Sequence, residues 1–372
     1  MTARANCRRA RGRARLESSL AEGLGEGGSE EERALGERAR RISRGSIIGA
    51  AEEGGKIRMK VLLIYYTGTY NTRYLTDKVE AEFVRRGHEV DRVEINCDTP
   101  VKDVSSYDLL GFGYPIYGFN SPLPFNRYTK KLNVRAGQAF FIYKNSGETL
   151  AMNNASSRIL LRRMQRKGAV LKGEYHFVMP YNIHFPFEKD FVREILDYDN
   201  KLLKIMMYKL EHGIVETIES NLIYDAAAAA VGIQKAGGAI NSFLYRVDEE
   251  KCVKCGLCVK NCPEKNIRFE EGRVKFGHRC DMCMRCSFYC PQDAVRIGFL
   301  EGWRVNGDYG LRALDEAGPP AKPYITEESR GFYKCYIKYF AKIDEEYEKL
   351  FGFGCGETYG YEDAPEEERA AW

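Results

Sequence analysis

Short apolar runs alternate with amphipathic segments along the chain after Met59. Five runs rich in aliphatic and aromatic residues are typical of buried strands, at residues 61–66, 89–95, 107–112, 138–143 and 174–179. Between them, apolar residues spaced for a helix occur over residues 75–83, closed by Gly87, and over residues 151–166. This alternation predicts an α/β fold with a doubly wound, five-stranded parallel sheet over residues 58–200.

The segments before and after this region differ from it in composition and in apolar pattern. Residues 1–57 are mostly Ala, Arg, Gly, Glu and Ser, so we expect a disordered extension, or a non-native one if Met59 is the true start. An apolar stripe between Leu203 and Leu222 predicts a helix within a connector over residues 201–242. Residues 301–372 are expected to form a C-terminal extension with one aromatic helix at 332–351.

Two copies of the pattern C-x2-C-x2-C-x3-C-P lie between Cys252 and Pro291. They contain eight of the twelve cysteines, namely Cys252, Cys255, Cys258 and Cys262, then Cys280, Cys283, Cys286 and Cys290. This spacing is that of iron–sulfur ligands, in which the fourth cysteine of each copy binds the cluster of the other copy. It predicts one cluster on Cys252, Cys255, Cys258 and Cys290 and a second on Cys280, Cys283, Cys286 and Cys262.

Structural zinc is the alternative for these cysteines, because zinc sites also use four thiolates. Zinc sites more often join two C-x2-C pairs, however, and do not need a third evenly spaced cysteine. Between the copies, apolar residues alternate on both sides of Glu271 and Gly272, which predicts a β-hairpin whose apolar face shields a cluster.

The loop after the first predicted strand, residues 67–72, is rich in hydroxyl groups. It lies at the edge of an α/β sheet where ligands bind, and it leads into a helix N-terminus, which favours a phosphate. Neither G-x-x-x-x-G-K-[ST] nor G-x-G-x-x-G occurs here. A turn without any ligand is the alternative. Tyr70 would be strained if this position requires positive φ, and its ring could instead stack on a cofactor.

These motifs carry a resemblance to known families. The cysteine region, residues 243–300, closely resembles the bacterial two-[4Fe–4S] ferredoxin domain. Three loops resemble the FMN-binding loops of flavodoxins, with matching residues Thr67, Gly68, Thr69, Asn71 and Thr72, with Tyr70 as a departure, then Pro115, Tyr117 and Gly118, then Asn145 and Gly147. The order of the two regions resembles that of flavodoxin–ferredoxin fusion proteins.

The resemblance implies two [4Fe–4S] clusters, FMN, and electron exchange with redox partner proteins. Two other functions stay open: a ferredoxin-type carrier whose α/β domain has lost flavin and serves for docking, and a reductase of a small organic substrate. No catalytic residue can be assigned. The net charge of +4 is too small to indicate nucleic-acid binding, and no apolar run is long enough to span a membrane. Clustered cysteines without a secretory signal lead us to expect a cytoplasmic protein.

Overall fold

The computed structural model describes residues 58–232, 238 and 240–352. The expected extension over residues 1–57 and the acidic end of the chain lie outside these ranges. The described residues all belong to one packed unit. Within them, no helix is long and apolar enough to cross a bilayer.

Five strands form the central sheet, and all neighbouring strands are parallel. They are β1 (Lys60–Tyr65), β2 (Glu89–Glu94), β3 (Leu109–Pro115), β4 (Ala139–Ser146) and β5 (Val170–Val178), in the order β2-β1-β3-β4-β5. This is the flavodoxin-like order of doubly wound sheets, so the predicted fold class is confirmed. β1, β3 and β4 are almost wholly buried, as their continuous apolar sequences predicted, whereas β5 begins earlier than expected.

Helices cover both faces of this sheet. α1 (Asn71–Arg85) and α4 (Lys189–Glu211) pack on one face, and α2 (Leu123–Lys131) and α3 (Arg158–Arg166) pack on the other. Phe125 of α2 and Leu160 of α3 meet Leu62 and Ile64 of β1 in one buried core. The segment predicted as one helix over 151–166 begins instead as a 3₁₀ helix, Ala151–Ser157. α2 has no counterpart in the sequence-based prediction.

The helix predicted from the stripe between Leu203 and Leu222 is interrupted. α4 ends at Glu211, because Gly213 follows with a left-handed φ of +67°, which is typical of a helix C-terminus. A new helix, α5 (Leu222–Val231), starts where the side chain of Asn221 accepts a hydrogen bond from the backbone N–H of Tyr224. The prediction of a single helix over the stripe between Leu203 and Leu222 was therefore wrong.

The cysteine region contains two small antiparallel sheets. β6 (Tyr245–Val247) pairs with β9 (Val295–Ile297), and β7 (Ile267–Glu270) pairs with β8 (Arg273–Phe276) as the predicted hairpin. Glu271 and Gly272 both have positive φ, as the favoured two-residue hairpin turn requires. The short helices α6 (Leu257–Asn261) and α7 (Arg285–Phe288) each begin inside one of the cysteine copies.

The C-terminal part returns to the α/β domain. It contains α8 (Leu311–Glu316) and α9 (Lys334–Phe351), and a 3₁₀ turn at Gly331–Tyr333 precedes α9. α9 packs along α4, where Tyr336 and Phe340 join Phe191 in a buried aromatic cluster. The aromatic residues of the predicted helix are thus part of the core.

Candidate functional site at the strand ends

A cavity of about 620 Å³, here called the strand-end cavity, lies at the carboxyl ends of β1, β3, β4 and β5. Ten of the eleven residues predicted to contact flavin line it: Thr67, Gly68, Thr69, Asn71, Thr72, Pro115, Tyr117, Gly118, Asn145 and Gly147. Three loops that are far apart in sequence meet here because their strands are neighbours in the sheet. The cavity is therefore where ligands of doubly wound folds bind.

Hydroxyl and amide side chains fix the 67–72 loop at the start of α1. Thr72 donates a hydrogen bond of 2.7 Å to Asn145, and Asn182 donates one of 2.9 Å to Thr69. The Oγ1 atom of Thr67 is buried and has no hydrogen-bond partner among the described residues. A buried hydroxyl without a partner is costly, so this atom fits a bound phosphate oxygen at the N-terminal end of α1.

Tyr70 is the predicted flavin contact that does not line the strand-end cavity. Its φ of +66° is the left-handed conformation that the sequence analysis identified as unfavourable for tyrosine. Its ring lies 5.3 Å from the ring of Tyr289 and 4.5 Å from the guanidinium carbon of Arg285, both in the cysteine region. The side chain thus packs against the cysteine region, and stacking on a cofactor in the cavity does not fit this position.

The loop after β3 forms a second wall of the cavity. Tyr117 lies with its ring edge-on to Tyr66, at 6.4 Å between centroids. Its hydroxyl group is buried, and within the described part of the chain it makes no hydrogen bond. Burial, and then the nearby Cys283, raise the pKa of Tyr117 well above its ordinary value. Tyr117 therefore bridges the strand-end cavity and the second cysteine copy.

The loop after β5 closes the cavity with residues that the sequence analysis did not select. A Cβ atom on Gly147 would lie 2.1 Å from the Tyr181 ring, so only glycine allows this ring to lie across the loop after β4. The Tyr181 hydroxyl donates to Glu148. His184, with φ of +83°, donates its backbone N–H to the carbonyl of Trp303, and both side chains line the cavity. The position of 180–184 directly after a strand was the signal that could have identified them.

A buried polar network supports the cavity from behind. Lys144 and Glu174 form an ion pair of 2.6 Å, with side chains 0% and 1% exposed. Burial lowers the pKa of Lys144, and the charge of Glu174 opposes that shift. Burial and then Lys144 lower the pKa of His176 to about 3, and its ring bonds the Ser146 hydroxyl at 2.8 Å. A neutral His176 thus holds the end of β4.

The outer cysteine site is formed by Cys252, Cys255, Cys258 and Cys290, which line one small cavity. Phe269 and Val274 of the hairpin also line it, so the apolar face of the hairpin covers these sulfur atoms. Burial raises the pKa of Cys258 to about 11, and the other three thiols add to the shift. Cys255 is exposed, so this site reaches the protein surface.

The inner cysteine site is formed by Cys262, Cys280, Cys283 and Cys286. Burial raises the pKa of Cys280 to about 12, with Cys283 and Cys262 as charged neighbours, and raises that of Cys283 to about 11. The backbone N–H of Asn266 points at Cys262 Sγ, at 3.3 Å. In residues 58–232, 238 and 240–352, no three His, Cys, Asp or Glu side chains form a group suited to a single metal ion.

The inner cysteine site adjoins the strand-end cavity. Met282 and Met284, on either side of Cys283, line that cavity. A Cβ atom on Gly68 would lie 3.0 Å from the carbonyl oxygen of Cys283. The 67–72 loop therefore separates the cavity from an inner cysteine by little more than its own backbone.

Comparisons with known proteins find similarity in both regions. The 4Fe-4S binding domain family matches residues 245–268. Pyruvate synthase subunit PorD of Methanocaldococcus jannaschii is 37% identical over 65 residues, which are 17% of this chain and 76% of that protein. Dihydromethanopterin reductase (acceptor) of Methanosarcina mazei is 26% identical over 102 residues, which are 25% of this chain and 43% of that protein. The chain thus spans less than half of the latter relative.

Among solved structures, flavodoxin 1 from Bacillus cereus is similar to the α/β part. It is 16% identical, with a TM-score of 0.31, and the match covers 41% of this chain and 98% of the flavodoxin.

Proposed function

Because the chain belongs to the flavodoxin–ferredoxin fusion proteins, we propose that it passes single electrons between two [4Fe–4S] clusters and FMN. Its iron–sulfur domain and flavodoxin-like sheet give it a role in electron transfer. We assign the flavodoxin-like domain to residues 58–200 and the ferredoxin domain to residues 243–300. The connector, 201–242, and the C-terminal extension, 301–372, complete the proposed organisation.

The observation that carries this proposal is the shared wall between the strand-end cavity and the inner cysteine site. Met282 and Met284 line the cavity while they flank Cys283 in sequence. Electrons can move between two centres only when the protein holds them close together. A cluster on the inner site and a flavin in the cavity would be separated by one loop.

The described residues fit FMN in the cavity. Thr67 offers a buried hydroxyl without a protein partner, and the 67–72 loop leads into the N-terminus of a 15-residue helix, which suits the phosphate. Tyr117, Asn145 and Gly147 would surround the ring. When bound, FMN would supply a centre that accepts one or two electrons.

The outer cysteine site would exchange electrons with redox partner proteins. Cys255 is exposed, and the apolar side chains of Val253 and Leu257 next to it are 60% and 39% exposed. Exposed apolar groups at a surface often mark a contact with another protein. The proposed order is therefore partner, outer cluster, inner cluster, FMN, and transfer in the reverse direction follows the same order.

Cofactor content tests the proposal. The protein is purified under anaerobic conditions, and iron, zinc and released flavin are measured per chain, together with the absorption spectrum. We expect about eight irons, as two cubane clusters require, and one FMN. Iron without flavin would favour the carrier whose α/β domain serves for docking. Zinc in place of iron would refute both functions.

The crossed ligand sets have their own test. Cys262→Ala should disrupt the cluster on Cys280, Cys283 and Cys286, although Cys262 belongs to the first copy. Cys258→Ala is the matched control, since it removes a ligand of the outer site from the same copy. EPR spectra that show loss of the same cluster in both variants would contradict the crossed assignment.

A further inference from the structure

We propose that Arg285 is a positioning residue that makes flavin binding depend on the inner cysteine site. Arg285 is the first residue of α7 and lies between Cys283 and Cys286 in sequence. It would hold the 67–72 loop in the conformation that receives the FMN phosphate. This inference rests on the proposed function, because it assumes FMN in the strand-end cavity and a cluster on the inner site.

Arg285 is buried between the two domains and connects them through its guanidinium group. Its Nε atom donates to the carbonyl of Gly68, its Nη2 atom donates to the carbonyl of Thr67 at 2.6 Å, and its Nη1 atom donates to the carbonyl of Asn261 at 3.2 Å. Only 6% of Arg285 is exposed. Hydrogen bonds from a charged donor in a buried setting are strong and geometrically specific.

A second side chain of the cysteine region donates to the next carbonyl of the loop. The hydroxyl of Tyr289 donates to the carbonyl of Thr69 at 3.0 Å. The carbonyls of three consecutive residues, Thr67, Gly68 and Thr69, are therefore all held from the ferredoxin side. Neither Arg285 nor Tyr289 lines the cavity, so both act on the loop from its outer surface.

The direction of these carbonyls determines the direction of the backbone donors. In a planar trans peptide the N–H group points opposite to the preceding carbonyl. Carbonyls that point toward the Arg285 and Tyr289 side chains turn the N–H groups of residues 68, 69 and 70 away from these side chains. Successive N–H groups on one side of a loop form a cradle for an anion. Arg285 and Tyr289 would thus set the donors that bind the phosphate without touching it.

Tyr70 shows why the loop needs this support. Tyrosine is unfavourable at its φ of +66°, so an unsupported loop would tend to leave this conformation. The Arg285 guanidinium lies over the Tyr70 ring at 4.5 Å, an attraction that stabilises the conformation. The departure from glycine at this position is therefore matched by a partner from the ferredoxin domain.

The position of Arg285 in turn depends on the inner cysteine site. Two of its sequence neighbours, Cys283 and Cys286, are proposed ligands, so cluster assembly would fix the backbone that carries the guanidinium. By thermodynamic linkage, a cluster that favours flavin binding is itself favoured by bound flavin to the same extent. The two cofactors would therefore bind cooperatively.

The test measures FMN affinity anaerobically by flavin fluorescence in the full chain with its iron content determined. Arg285→Gln should raise the Kd for FMN at least about tenfold, which corresponds to about 1.4 kcal/mol. Arg296→Gln is the matched control and should keep the wild-type Kd. Arg296 lies in β9 of the same domain and pairs with Asp248 and Glu301 instead of the loop.

Tyr289→Phe is the gentler variant, since it keeps the ring and removes one hydrogen bond to the loop. It should weaken FMN binding less than Arg285→Gln does while the iron content stays at the wild-type level. Wild-type Kd values in iron-replete Arg285→Gln and Tyr289→Phe would overturn the inference. If Arg285→Gln loses iron, the inference is tested by Tyr289→Phe alone, and a wild-type Kd for FMN in that variant would overturn it. A wild-type protein that binds iron but no FMN would refute the proposed function itself.

Discussion

The two cysteine copies share several backbone features but have different surroundings. Left-handed residues occur at equivalent positions, with φ of 53° and 51° at Lys254 and Met282, and of 74° and 62° at Gly256 and Met284. The fourth cysteines also match, because Cys262 and Cys290 each accept a backbone N–H four residues later, at 3.3 and 3.2 Å. The internal repeat therefore extends from the sequence to the backbone.

The two copies differ in the side chains that they carry at equivalent positions. Leu257 of the first copy is partly exposed beside the exposed Cys255, whereas its counterpart in the second copy is the buried Arg285. Asn261 likewise corresponds to Tyr289, which bonds the 67–72 loop. Equivalent cysteine loops thus have different neighbours: the first copy faces solvent, and the second copy faces the strand-end cavity.

Removing one proposed ligand from each cysteine site should give the largest effect. Cys283→Ala should lose the inner cluster and also most of the FMN, because the 67–72 loop packs on this residue. Cys255→Ala should lose the outer cluster and keep FMN. Iron and flavin content per chain measure both results. Equal flavin retention in the two variants would show that the two copies do not differ as proposed.

A methyl group added to Gly68 tests the contact between the 67–72 loop and the second cysteine copy. In Gly68→Ala the new Cβ would lie 2.1 Å from the Tyr117 hydroxyl and 3.0 Å from the Cys283 carbonyl. Overpacking of this kind costs about 1–3 kcal/mol, so the Kd for FMN should rise about tenfold or more. Flavin fluorescence titration provides the measurement.

Gly256→Ala is the control in the first cysteine copy. Its φ is +74°, and the nearest atom to a new Cβ is in the Phe269 ring at 3.6 Å. The left-handed conformation costs alanine about 1–2 kcal/mol of stability, but FMN affinity should stay unchanged. A loss of flavin in Gly256→Ala equal to that in Gly68→Ala would contradict the proposal that only the second cysteine copy supports flavin binding.

The buried network behind the cavity should make the stability of the protein depend on pH. Because the pKa of His176 is lowered to about 3, the folded protein keeps it neutral while the unfolded chain binds a proton below about pH 6.5. The unfolded state then holds more protons, so stability falls as the pH decreases from about 6.5.

Between pH 7 and pH 5 this effect amounts to about 1–2 kcal/mol. His176→Gln should reduce the fall in stability by that amount, as measured by chemical unfolding at both pH values. An identical pH dependence of stability in wild type and His176→Gln would contradict the claim that His176 is kept neutral in the folded protein.

Local spacing explains what the sequence revealed and what it did not. The cysteine copies, the hairpin turn at Glu271 and Gly272, and the hydroxyl-rich 67–72 loop are patterns within a few residues, so they were recognisable. The need for a left-handed residue at Tyr70 was also recognisable. Arg285 was not, because its bond to Gly68 joins residues that are 217 positions apart. Tyr181 and Trp303 were missed because only tertiary packing brings them to the cavity.

The most direct test of the proposed relay is flavin reduction by a protein donor. Wild type and Cys255→Ala, both with FMN bound, are mixed anaerobically with a reduced ferredoxin, and flavin absorbance is followed by stopped flow. We predict that flavin reduction is at least about tenfold slower in Cys255→Ala, because its outer cluster no longer accepts electrons at the surface. Equal rates in the two proteins would contradict the proposal that electrons reach FMN through the outer and then the inner cluster.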